Sequence, residues 1–143
     1  MRVVIISFTI RDPRVYNQVM TNEIQCFALL KIKPGKLDEF KRLNAKCSEI
    51  VRTMDTGTLQ YESYMNQEET ECMVFERYRD SQSLLDHHKH LGETMAQILE
   101  TCEGSGGICG IPSSGLADQI KKSSVVQIYS PLPSNLEIDE LRS

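Results

Sequence analysis

The sequence has no tryptophan, and its five Tyr and four Phe make up only 6% of 143 residues. It also lacks any apolar run approaching the ~18–20 residues that span a bilayer, which argues against a membrane-embedded chain. Its five cysteines (26, 47, 72, 102 and 109) are odd in number and never spaced as CxxC. A disulfide framework and a zinc ribbon therefore have no basis, and Cys26, Cys47 and Cys72, set within apolar patterns, read as reduced packing residues of a cytoplasmic protein. No sign of charge dominates either. Sixteen Lys and Arg against twenty Asp and Glu, scattered along the chain, give a net charge of −4 and no basic stripe for nucleic acid. What is present is a 40% hydrophobic chain of one-domain length.

Apolar spacing divides this chain into elements. Val3–Ile6 is too short for a signal-peptide core and is followed at once by Arg11, Asp12 and Arg14, so residues 2–9 are expected to form an extra strand. Residues 24–32 are apolar at every even position and also at 27 and 29, which predicts a strand buried on both faces. Leu37, Phe40, Leu43, Cys47, Ile50, Val51 and Met54 predict one amphipathic helix over about 36–54, ending near Gly57. Residues 58–65 and 72–79 read as strands joined in a hairpin through Asn66–Glu71. Ser81 is positioned to cap a second long helix with Leu84, His88, Leu91, Met95, Ile98 and Cys102 on one stripe. The glycine-rich stretch 104–110 then reads as a loop, because it lacks the Lys-Ser/Thr end of a phosphate loop and follows a helix. A short helix after Pro112 and a last strand near 125–130 complete the domain, and 131–143 reads as a C-terminal arm or tail.

The order strand, helix, strand, strand, helix, strand is the split βαβ, or ferredoxin-like, arrangement of an α+β fold with an antiparallel sheet. Right-handed crossovers place both helices on one sheet face. The other face still carries large apolar residues such as Met73 and Phe75, and leaving each in water forgoes roughly 1.5–3 kcal/mol. The economical cover is a second copy of the sheet, hence a homodimer.

Four motifs carry a resemblance: Pro34-Gly35 with Phe40; Gly57-Thr58-Leu59-Gln60-Tyr61; Glu76-x-Tyr78-x-Asp80 with His87 eleven residues past the glutamate; and Gly110-Ile111-Pro112-Ser113. In their order and spacing, residues 23–130 resemble the antibiotic-biosynthesis-monooxygenase (ABM) type of dimeric α+β barrel, which includes quinol monooxygenases. Residues 1–22 and 131–143 lie outside the resemblance, as an N-terminal extension and an arm reaching across the dimer. The resemblance implies a cofactor-independent monooxygenase acting on a small aromatic or quinol-like molecule. Haem-degrading relatives use a pocket Trp, which this chain lacks. Many relatives also carry a second His five residues past the first, where this chain has Gly92. A non-catalytic small-ligand-binding dimer and an isomerase of a small carbonyl compound are the alternatives.

Cofactor-free oxygenation has a simple physical demand. An electron-rich phenolate can give one electron to oxygen directly, so the protein must supply a base, donors for the anion and a dry cavity. The resemblance selects His87 as the base. On a continuous helix His88 sits nearer the centre of the apolar stripe, so either histidine is a candidate. Glu76 shares a strand face with Cys72, Val74 and Tyr78 and is either a pocket hydrogen bonder or half of an ion pair with Arg77, Arg79 or a partner-chain Lys. Tyr61, Tyr64 and Tyr78 are candidates to line the site and donate to an oxyanion, or else serve as amphipathic sheet residues. Asn44 is expected to be largely exposed. His87 and His90 are three apart, a spacing that can share a metal, but no further ligands are in evidence and no metal is expected.

Overall fold

A computed structural model of the chain describes residues 22–132; the strand expected over 2–9 and most of the C-terminal arm lie outside the described residues. Five strands and three helices follow in the order β1 (Ile24–Ile32), α1 (Leu37–Met54), β2 (Thr58–Met65), β3 (Glu71–Tyr78), α2 (Ser81–Glu100), β4 (Cys102–Cys109), α3 (Ser114–Ile120) and β5 (Val126–Tyr129). They form one sheet of order β2-β3-β1-β4-β5. β1 is central and runs antiparallel to both β3 and β4, while β5 pairs parallel to β4. This is the α+β, ferredoxin-like arrangement. No helix among the described residues is long and apolar enough to cross a membrane.

The two-sided apolar pattern of β1 has its explanation in the register. Cys26, Ala28 and Leu30 align with Glu76, Val74 and Cys72 of β3, and with Ile108, Gly106 and Gly104 of β4. This row faces the helices, where Phe40, Leu43 and Cys47 of α1 and Leu91 and Ile98 of α2 close the main core. A second cluster gathers Ile24, Tyr78, Leu84 and Ile108 with Leu116 and Ile120 of α3. The alternate row, Phe27 and Leu29 against Phe75 and Met73, lies on the outer face of the sheet. There Tyr64 (54% exposed), Phe75 (43%) and Tyr129 (47%) leave large apolar surface in the open.

Three expectations from the sequence are corrected. The glycine-rich stretch is strand β4, and it rather than residues 126–129 is the fourth strand of the split βαβ; β5 is an addition along its edge. Close packing against neighbouring strands explains the glycines. A Cβ on Gly107 would stand 2.5 Å from the Tyr129 ring and 2.7 Å from that of Phe27, and one on Gly106 would stand 2.3 Å from the Phe27 carbonyl oxygen. Second, Asp80 caps α2: its Oδ1 accepts from the Ser83 amide at 2.8 Å and from the Ser83 hydroxyl at 2.7 Å. Ser81 instead accepts from the Ser113 amide at 2.8 Å, tying the start of α3 to α2. Third, α2 is broken at Gly92 (φ 42°, ψ −119°), ends at Glu100, and buries Leu84, His87, Leu91, Thr94 and Ile98. Cys102 lies beyond it in β4.

Candidate functional site

A cavity of about 500 Å³ lies between the helix face of the sheet and α2, with Asn44 and Cys47 of α1 on one side and the start of β5 on the other. Its wall is mostly apolar. Among the side chains that line it are Tyr61 from β2, Glu76 from β3 and His88 from α2. Tyr61 and Glu76 are register partners across the β2–β3 ladder, so strand pairing alone brings them side by side.

Burial sets the chemistry of this wall. It pushes the Glu76 carboxyl above the usual carboxylate range, an effect that His87 and the Tyr78 hydroxyl partly offset and Asp55 reinforces. The Tyr78 hydroxyl donates to Glu76 Oε2 at 2.9 Å. Arg77 and Arg79 do not pair with Glu76: Arg77 reaches Glu23 and Arg79 reaches Asp80, each at 4.0 Å. Burial likewise raises the Tyr61 phenol, which therefore remains a hydrogen-bond donor. His88 moves in the opposite direction. Its packing environment, and then the adjacent His87, hold its pKa below 6.5, leaving it a neutral base near neutrality.

Behind the wall stands a polar cluster that the sequence did not reveal. Asp55, just past the end of α1, has its side chain 3% exposed, and its carboxylate meets His87 Nδ1 at 2.8 Å and His90 Nδ1 at 2.7 Å. The Thr58 hydroxyl donates to the same carboxylate at 2.7 Å. Burial by itself would raise the Asp55 carboxyl, but hydrogen bonds from His90, Thr58 and His87 outweigh it and hold the group below its ordinary range. An ionised carboxylate only accepts, so both Nδ1 atoms carry the protons that face Asp55. His87 Nε2 is buried with no hydrogen-bond partner. The His87 ring is wedged between Tyr78 and Tyr61, with centroids 5.2 and 5.5 Å away. The three-residue spacing of His87 and His90 thus serves a shared carboxylate.

The histidines exchange the places that a continuous stripe implies. His87 is 1% exposed at the centre of the buried face, whereas His88 is accessible and lines the cavity. Tyr61 is on the cavity wall, and Tyr78 is fully buried behind Glu76. Tyr64 does not join them. It lies on the outer sheet face and donates to Glu62 at 2.6 Å. Asn44, expected to be exposed, is half-buried on the cavity wall and accepts from the Ser63 hydroxyl at 3.1 Å. Asp55 had no signal in its local pattern; only the packing of α1 against α2 brings it to the histidines.

All five cysteines are free. Three of them, Cys26, Cys47 and Cys102, touch the cavity, and burial raises each of their thiols.

The family model described as antibiotic biosynthesis monooxygenase matches residues 24–97, from β1 into α2. No curated protein matches the sequence. Solved structures do. MupZ from Pseudomonas fluorescens is 18% identical with a TM-score of 0.65, covering 82% of this chain and 97% of its own. A conserved protein from Methanosarcina mazei is 24% identical with a TM-score of 0.56, covering 65% of this chain and 95% of its own. SnoaB from Streptomyces nogalater, a cofactor-independent oxygenase, is 9% identical with a TM-score of 0.55, covering 65% of this chain and 96% of its own. At these identities the likeness speaks for the fold, and the family match speaks for descent. The chain belongs to the antibiotic biosynthesis monooxygenase family.

Proposed function

We propose that this protein is a cofactor-independent monooxygenase for a small hydroxyaromatic, quinol-like substrate bound in the 500 Å³ cavity. The observation that carries the reading is the presence, in one mostly apolar cavity, of a histidine whose pKa is held low, a carboxyl raised by burial and a phenol that stays protonated. His88 takes the proton of the substrate hydroxyl. Tyr61 and the protonated form of Glu76 donate to the oxyanion, as a carboxylic acid kept neutral by an apolar site can. The anion then gives one electron to dioxygen, and the resulting radical pair combines at a ring carbon. Loss of water completes the reaction: one quinol and one dioxygen give one hydroxyquinone and one water. His87, pinned by Asp55, is a positioning residue that braces Tyr61 and His88 from behind.

The same reading assigns a second copy of the chain to the outer sheet face, where Phe75, Tyr64 and Tyr129 are exposed. Five free thiols suit a cytoplasmic setting. The test is oxygen uptake with a panel of hydroquinones and dihydroxynaphthalenes. His88→Ala is expected to lower kcat by about 10²-fold or more, the scale of general base catalysis. His87→Ala is expected to lower it less and to shift the pH profile, because the ring next to His88 is gone. Variants of both residues that match wild type would sink the assignment.

A further inference from the structure

The cavity is far larger than one ring requires. About 150 Å³ already accommodates benzene, whereas this cavity measures about 500 Å³. It is also graded along its length. At the Cys26 level of β1 stand Glu76 and Tyr61, and His88 lines the same cavity from α2. Four residues further along the strand, roughly 13 Å, the wall at the Leu30 level is made by Leu30, Met95, Ile98, Leu99 and the bare backbone of Gly104. Two polar side chains near that end are engaged within the protein. The Cys102 thiol donates to the Ile98 carbonyl at 3.4 Å, and the Ser123 hydroxyl accepts from the Val125 and Val126 amides at 3.2 Å. Leu99 (46% exposed) and Val125 (52%) line the cavity yet remain open to solvent.

We infer that the substrate is a hydroxyaromatic bearing an unbranched apolar tail, its ring held at Tyr61, Glu76 and His88 and its tail lying along Gly104 between Leu30 and Leu99. Glycine leaves the channel: a Cβ at position 104 would sit 3.1 Å from Leu30 Cδ2 and 4.0 Å from Leu99 Cδ2. The apolar side chains that dominate that end favour hydrocarbon over a sugar, phosphate or peptide extension, whose polar groups they would leave unpaired. This inference rests on reading the cavity as the substrate site, but not on the oxidation itself.

The test is anaerobic calorimetric binding of 2-alkyl-1,4-hydroquinones with tails of increasing length to the wild-type chain. Affinity is expected to rise by up to about fourfold per buried methylene, making the hexyl compound, five methylenes longer, up to about a thousandfold tighter than the methyl one, and then to level off as longer tails emerge past Leu99. Gly104→Leu and, at the solvent-exposed mouth, Leu99→Ser are each expected to shrink the hexyl-to-methyl ratio, the first by tenfold or more. A wild-type affinity indifferent to tail length, or a ratio unchanged in both variants, would overturn the inference. Oxygen uptake on methylhydroquinone without tail dependence leaves the proposed oxygenation standing and this inference fallen. Tail-dependent binding without oxygen uptake does the reverse.

Discussion

Asp55 meets two imidazoles and a hydroxyl at once, with only 3% of its side chain exposed. Its folded-state pKa lies below the ordinary value of 3.8, so the stability it contributes is full above that value. The contribution disappears as pH falls through the lower folded value. Asp55→Asn is therefore expected to cost about 1–3 kcal/mol near pH 7, the scale for leaving buried donors unpaired. In urea unfolding, the gap between variant and wild type should narrow near pH 3. A gap that is equal at both pH values would mean that the carboxylate charge does not matter. The sequence could not have pointed to Asp55, because a lone acidic residue after a helix is ordinary and its partners lie 32 and 35 residues away. The side that Glu76 takes was legible for the opposite reason. Strand alternation sets which face a residue takes, and Glu76 shares with Cys72 and Val74 the face that meets the helices. The same alternation parts Tyr61 from Tyr64, which the sequence reading keeps together.

Among the elements, β1, α1, β2 and β3 were legible because their apolar spacing admits one period. The second long helix shows how such counting fails. The rows 84-88-91-95-98 and 84-87-91-94-98 both satisfy helical spacing, and the second is the buried one. Hydrophobicity favoured the first because His87 and Thr94 are polar; burial of these two depends on tertiary partners that no local count contains. β4 was missed more completely. Glycine has no side chain to alternate, and a glycine in a strand interior costs about 0.5–1 kcal/mol relative to alanine. Here that cost is offset by pairing on both sides and by the space the missing side chains leave. Gly107→Val is accordingly expected to displace the Phe27 and Tyr129 rings and lose about 1–3 kcal/mol, the range for overpacking. Thermal unfolding measures this directly, and an unchanged Tm would show that the rings yield without cost.

For the molecule as a whole, the unsolved surface is the outer face of the sheet. The sequence indicated it correctly: Met73 and Phe75 alternate with the helix-facing Cys72 and Val74. Tyr64 packs edge-on against Phe75 with ring centroids 6.0 Å apart, and Phe27 pairs with Tyr129 at 5.9 Å, so the face offers ordered aromatic surface. If a second copy covers it, Phe75→Glu should convert the dimer to monomer in light scattering at micromolar concentration while the helical circular dichroism signal persists. A wild-type chain that is monomeric under those conditions would remove the dimer from the proposal.

The break at Gly92 divides α2 into two working lengths. Before it come His87, His88 and His90, two of them tied to Asp55. After it come Met95, Ile98 and Leu99, whose side chains form apolar wall of the cavity. A helix interrupted in this way does not carry a shift in one half rigidly into the other. The Asp55–His87–His90 cluster can thus be held fixed while the size and shape of the cavity's far end change by substitution, so one scaffold can be fitted to new molecules without rebuilding its polar half.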